Sequence, residues 1–328
     1  MEAVDIKHLF IVNPVSQRIR GRVNTVISGI HEFFKGYPHM RYVIHVTRWE
    51  MDAVCVVRQH ASGAKEMLRV HVMGGSGTLA EVIGSTIRLP NIQIAAYPMG
   101  GENSLLRYFG EKTHLFNSIR SQVLSETTPL DSLCCGHRYG VSHIVIGFEG
   151  VVGREGLALH ERSPYVRHYT AFLLAVFKTI FSSKVYGQEY KINLDGKEVE
   201  GEFISILVAN APFYAKKMHP AVDAHPNDGV FDVYLVKRMS RLKFLLSMRA
   251  YLSGNHKKLA DIVTHYTGTK ISISSDKTMS LILDDKPFLA KSADIEILPY
   301  SVDLVLPGGI DISNIPRVYA EPKGGLFR

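Results

Sequence analysis

Cysteine is scarce in this chain: 328 residues include only Cys55, Cys134 and Cys135, an odd number with two of them adjacent. That usage argues against a disulfide framework and offers no zinc-ligand spacing. Long apolar runs are also missing. The greasiest stretch, residues 170–181, is a dozen residues long and contains Lys178, whereas a bilayer-spanning helix needs about 20 apolar residues. The first residues, Met1-Glu2-Ala3-Val4-Asp5, carry neither the basic leader nor the apolar core of a signal peptide. No block of five or six basic residues and no aromatic-interleaved basic motif occurs, so nucleic acid is not an expected partner. These absences lead to the expectation of a cytoplasmic protein with reduced thiols.

What remains is the composition of a globular protein. The apolar fraction of 46% against 21% charged residues supplies enough buried surface to exclude extensive disorder. The length predicts two domains with separate cores. A net charge of +7, spread along the chain, favours anionic partners such as nucleotides or lipid headgroups.

Up to about residue 130, short apolar runs alternate with helix-like segments. Strands are expected at 8–12, 42–46, 68–73 and 92–97, with helices at 23–34, 51–61 and 78–87. Such alternation predicts a parallel sheet with crossover helices, whose ligands bind at the loops leaving the strand C-termini. Beyond Thr127-Thr128-Pro129 the pattern changes to short β-rich runs punctuated by Asp195-Gly196 and Asn227-Asp228-Gly229. There an antiparallel sandwich is expected, with helices near 166–181 and 240–252. The domains are therefore placed at 1–130, an α/β nucleotide-binding domain of three layers, and 131–328, a β-sandwich for the substrate. The C-terminal tail is left free to return to the first domain.

Two glycine-rich loops follow consecutive strands. Gly74-Gly75-Ser76-Gly77-Thr78 stands between the third strand and a helix, and Pro98-Met99-Gly100-Gly101 follows the fourth, with Asn103 just beyond. Glycine lets backbone approach a polyphosphate, and helix N–H groups face the anion. The dinucleotide fingerprint fits poorly, because the loop follows the third strand and no acidic residue lies some 20 positions on. A Walker A motif is absent.

The order of these motifs resembles that of the diacylglycerol-kinase-like lipid kinases. Asn13-Pro14-Val15-Ser16-Gln17 is similar to that family's opening Asn-Pro-x-Ser-Gly, and Thr47 to its threonine after the second strand. Gly74 to Thr78 with Glu81 resembles its Gly-Gly-Asp-Gly-Thr-x-x-Glu signature, and Pro98 to Asn103 its Pro-x-Gly-Thr-x-Asn segment. Further on, Asp131, Ile146-Gly147-Phe148-Glu149, the Asn210…Asp228-Gly229 run and Asp284-Asp285-Lys286-Pro287 fall in family order. The resemblance spans roughly residues 7–306. It implies an ATP-dependent lipid kinase acting with Mg2+ on a hydroxyl of a diacylglycerol-like lipid at a membrane surface. Asn13, Thr47, Gly74, Gly75, Ser76, Gly77, Thr78, Glu81, Gly100, Gly101 and Asn103 are the implied nucleotide-binding residues, and Asp228 the ligand of a structural magnesium. Peripheral association with the inner membrane face is expected, and a homodimer stays open.

Two departures bear on the chemistry. Ser76 stands where the family has the aspartate that organises nucleotide and metal, and Lys286 where it has the glutamate base. A hydroxyl is a much poorer magnesium ligand than a carboxylate, and a protonated lysine accepts no proton. Glu102, Asp284 and Asp285 are the expected substitutes for the base. The alternative is a catalytically impaired pseudokinase that regulates by binding nucleotide or lipid.

Overall fold

The structure, a computed structural model, describes residues 6–62, 66–87, 89–100, 103–162, 168–181, 187–213, 218–284, 286–308 and 310–312. The chain divides into two compact units, Met1–Ser132 with Pro299–Pro316, and Leu133–Leu298 with Arg317–Arg328.

In the first unit, β1 (Ile6–Val12), β2 (Arg41–Val46), β3 (Met67–Gly74) and β4 (Ile92–Pro98) form a parallel sheet in the order β2-β1-β3-β4. Every connection between these parallel neighbours must be a crossover. Helices α1 (Val23–Lys35), α2 (Asp52–Ala61) and α3 (Ser76–Thr86) supply them. Side chains alternate across the sheet. Phe10 and Val12 join Ile30, Phe34, Met73 and Tyr97 in one core, while Leu9 and Ile11 of the same strand are equally buried on the other face. Burial on both faces is why these strands read as continuous apolar runs. Two short helices, α4 (Ser104–Arg107) and α5 (Ile119–Leu124), precede the exit from this unit.

Polar groups thread this core. His8 Nδ1 lies 2.9 Å from His71 Nε2, and His71 Nδ1 lies 3.1 Å from the Tyr97 hydroxyl. Arg69 is buried and donates to Gln93 and to the Gln122 and Val123 carbonyls. Burial, with Arg69 adding repulsion, lowers the His8 pKa to about 4, so this imidazole stays neutral in the fold.

The remaining strands are β5 (Thr127–Cys135), β6 (Arg138–Gly140), β7 (His143–Gly147), β8 (Gln188–Leu194), β9 (Lys197–Ala209), β10 (Phe231–Lys237), β11 (Val263–Gly268), β12 (Lys270–Leu283) and β13 (Lys286–Val305). In the second unit they pair antiparallel in the order β11-β10-β9-β7-β12-β13, with β8 bridging β9 and β12. Strands β9 and β12 are long because each serves two neighbourhoods. The first half of β9 pairs with β8 and its second half with β7 and β10. Inward residues such as Ile146, Ile206 and Val233 fill the sandwich core. Their neighbours Val145, Leu207 and Tyr234 face a second core covered by α6 (Phe148–Arg162), α7 (His168–Phe181) and α8 (Arg241–Leu252). The expected α/β domain and β-sandwich are both present. Helix α6 is a finding that the sequence pattern did not announce.

Candidate nucleotide-binding site

The C-terminal ends of β1, β3 and β4 lie level. Val12 pairs with Met73, and Gly74 with Pro98. The loops leaving them are tied together by backbone hydrogen bonds: Asn13 N–H to the Met73 carbonyl (3.0 Å), Thr47 N–H to Val12 (3.0 Å), and Met99 N–H to Gly74 (3.3 Å). One sheet edge therefore gathers Asn13, Thr47, Gly75 and Gly100.

Steric contact explains the glycines here. A Cβ added at Gly100 would sit 2.4 Å from the Gly75 Cα, and one at Gly74 would sit 2.7 Å from the Thr78 Cβ. The two loops thus touch backbone to backbone. Asn103, at a left-handed φ of 51°, holds its loop closed by accepting from Gly100 N–H and donating to the Gly100 carbonyl (2.9 Å). Asn13 Nδ2 donates to Thr78 Oγ1 (2.9 Å), and Asn13 Oδ1 accepts from Val15 N–H (3.1 Å).

Helix α3 starts at this edge. The first N–H groups of any helix have no intrahelical acceptor, and Gly75 at the N-cap offers no side chain to supply one. No acidic residue occupies the first turn, so the positive end of the helix dipole is uncompensated by its own side chains. Ser76 Oγ is buried and has no hydrogen-bond partner among the described residues. Nothing within 4 Å would meet a Cβ on Gly77. An orphaned hydroxyl, an uncapped helix end and open space above glycine fit a phosphate group. Glu81, three residues beyond Thr78, shares the Thr78 side of the helix.

The other expected residues are distributed as follows. Gly101, Glu102 and Asp285 lie outside the described residues. Asp284 is buried at a turn (φ 50°), where its carboxylate accepts from the N–H groups of Val141 (3.0 Å), Ser142 (2.9 Å) and His143 (3.1 Å). Burial pushes its pKa up against the pull of those three donors. The expectation that Asp284 takes a substrate proton does not fit this geometry, because both oxygens are committed to backbone. Lys286 opens β13 and pairs with Leu283 across the turn. Asp131, another acidic residue in family order, accepts from Tyr300 N–H (2.9 Å) and is also a backbone anchor. Asp228 accepts from Val230 N–H (3.3 Å) beside Gly229 at φ 73°. Among the described residues no three His, Cys, Asp or Glu side chains cluster to hold a metal. A magnesium at Asp228 would therefore rest on one carboxylate with carbonyls and water, a donor set this cation accepts.

One acidic centre was not singled out from sequence. Glu149, in the first turn of α6, accepts from Ser205 with the Tyr251 hydroxyl close by, and burial raises its pKa to about 7. Its partners are over 50 residues away in the chain, so no local signal marks it.

Comparison with known proteins agrees with this architecture. The diacylglycerol kinase catalytic domain family matches residues 7–135, and the YegS C-terminal NAD kinase beta sandwich-like domain family matches residues 143–306. The chain belongs to the diacylglycerol-kinase-like lipid kinase family. Among its relatives is the Staphylococcus aureus (strain MRSA252) protein named "Putative lipid kinase SAR0780", 21% identical over 87% of this chain and 90% of the relative. A diacylglycerol kinase structure from Bacillus anthracis str. Sterne superposes with a TM-score of 0.66 at 18% identity, covering 93% of this chain and 98% of that one. A second structure from the same organism gives a TM-score of 0.71 at 18% identity, over 95% and 100% of the two chains.

Proposed function

We propose that the protein transfers the γ-phosphoryl group of ATP to a hydroxyl of a diacylglycerol-like lipid. The observation that carries this reading is the start of α3, where Gly75 leaves the first helix N–H groups without a side-chain cap and Ser76 Oγ has no hydrogen-bond partner among the described residues, beside two touching glycine loops. Family membership supports the lipid acceptor. Bound ATP and its Mg2+ would supply the phosphoryl group and neutralise charge developing on it. The chain's own work is positional. Gly75 and Gly77 admit the phosphates to the N–H groups of α3, Ser76 donates a hydroxyl, and Asn13 and Asn103 fix the loops. Asp284 keeps the 140–143 turn in place. Glu102 and Asp285 remain the candidates for taking the acceptor proton.

A second reading is favoured by the replacements themselves. With Ser76 and Lys286 at two positions where the family uses carboxylates, the fold would bind nucleotide or lipid without turnover. Magnesium-dependent ATP turnover over diacylglycerol, monoacylglycerol and sphingosine in mixed micelles separates the two. The kinase reading expects phosphorylation of at least one acceptor by the wild type. A silent wild type that binds ATP, with activity appearing in a Ser76→Asp, Lys286→Glu double variant, would establish the pseudokinase instead. Loss of a general base costs about 10²–10⁴-fold, which sets the sensitivity the assay needs.

A further inference from the structure

At the far end of α3 lies a cavity of about 250 Å³. Its walls come from Thr86 at the close of α3, the segment leading into β4, and the last residues of β13, all in the first unit. Leu304 of β13 pairs in parallel with Ile94 of β4, which brings these pieces together. An α-helix rises about 1.5 Å per residue, so Thr86 stands about 15 Å from Ser76 and the glycine loops. The cavity is therefore a separate place on the same domain.

Its lining combines apolar walls with a single charge. Ile87, Leu89, Ile92 and Val302 supply the walls, and Asp303 is the one charged residue among the described lining residues. Val302 and Leu304 are buried, so alternation along the strand turns Asp303 away from the core. Its carboxylate has neither a hydrogen bond nor an ion pair among the described residues. Burial raises its pKa, and nothing opposes that rise: the group is partly stripped of water and has gained no partner in exchange. Tyr300 also lines the cavity and is 58% exposed. Its φ of 52° lies where bulky residues are rare. Asp131 holds it there by accepting from the Tyr300 N–H (2.9 Å), and backbone held in this way clusters at ligand sites.

Helix α3 adds the negative end of its dipole, with no basic residue in its last turn. Carboxylate, helix C-terminus and aromatic face all favour a cation. A metal ion is disfavoured, because one carboxylate among apolar walls lacks the oxygen donors that Mg2+ or Ca2+ requires. The volume, close to eight waters at about 30 Å³ each, suits a ligand smaller than a nucleotide. We propose that this cavity binds a small organic amine, its ammonium group meeting Asp303 and Tyr300 and its hydrocarbon body resting on the apolar walls.

The test is titration calorimetry with phenethylamine in the absence of ATP, so the outcome does not depend on phosphoryl transfer. The wild type should bind the amine saturably at millimolar concentration or below, and bind phenylethanol and phenylacetate at least tenfold more weakly. Asp303→Asn should lose at least tenfold in affinity for the amine, with an unchanged thermal melt because the carboxylate has no partner to lose. Tyr300→Asn, which keeps a residue that tolerates left-handed backbone, should weaken the amine several-fold. Equal affinity in Asp303→Asn and the wild type overturns the proposal, as does phenylacetate binding as tightly as the amine. A wild type that ignores the amine also overturns it. Arg88, just beyond α3, lies outside the described residues. If only an Arg88→Gln variant binds the amine, the chain's own arginine is the cation and the ligand site is refuted.

Discussion

Gly77 and Gly100 belong to the same pair of loops, yet alanine at each should act in opposite directions on stability. At Gly100 the new methyl carbon would stand 2.4 Å from the Gly75 Cα. Carbon atoms settle at about 3.5–4.0 Å, so the loops must part by more than an ångström. Met99 N–H to the Gly74 carbonyl ties the two strands behind them and resists that movement. Overpacking of this kind costs about 1–3 kcal/mol. At Gly77 no atom lies within 4 Å of the new carbon, and the residue is already helical, so Ala is expected to gain up to about 1 kcal/mol. Both substitutions should weaken ATP: Gly100→Ala by distorting the cradle, and Gly77→Ala by occupying the space a phosphate needs. Thermal melts by circular dichroism and titration calorimetry with ATP read the two effects separately. A Gly77→Ala protein that is more stable and binds ATP like the wild type would refute the placement of phosphate on α3. A Gly100→Ala protein as stable as the wild type would refute the loop contact.

Three further outcomes are expected. Asp284→Asn turns an amide toward N–H donors that the carboxylate now satisfies, and should cost about 2–4 kcal/mol in urea unfolding. Abolished activity with an unchanged midpoint would instead return Asp284 to the chemistry. The unfolded His8 titrates near its ordinary 6.5 while the folded one stays neutral to about 4, so stability should decline by about 3 kcal/mol as pH falls between those values. His8→Gln should flatten that acid limb, and an unaltered limb would count against the buried histidine pair. Glu149 has the opposite sign: its folded pKa is raised from 4.5 to about 7, so its contribution is fully present below 4.5 and lost as pH rises to 7. Glu149→Gln should therefore melt higher than the wild type at pH 8. Equal melting temperatures there would mean the carboxyl is already ionised at low cost.

The parallel sheet was legible because its strands are buried on both faces. The run at residues 8–12 became Ile6–Val12, and that at 68–73 became Met67–Gly74. Both glycine loops were legible for the same reason: each sits where an apolar run stops. Helix α6 was not, because Gly150, Gly153 and Gly156 lower its apparent helix propensity. The structure explains two of these glycines by packing, since a Cβ on Gly150 or Gly153 would lie 2.2 Å from Ser280 or Ile282 of β12. Strand β11 was missed too, its Val-Thr-His-Tyr-Thr-Gly run being half exposed and short. The role of Asp284 could not be read locally, because its three partners lie about 140 residues earlier. The outward leucines of α8 were equally hidden. Sequence alone places a helix near 240–252, and the structure adds that Phe244 is buried while Leu246 remains exposed.

The most direct measurement of the central claim is phosphatidate formation from γ-labelled ATP and diacylglycerol in detergent micelles, comparing wild type with Gly77→Ala at equal folded concentration. Labelled lipid that accumulates only with magnesium, and falls at least tenfold in the variant, is the predicted result. No labelled lipid from a wild type that binds ATP would contradict the account and leave a nucleotide-binding protein without transfer.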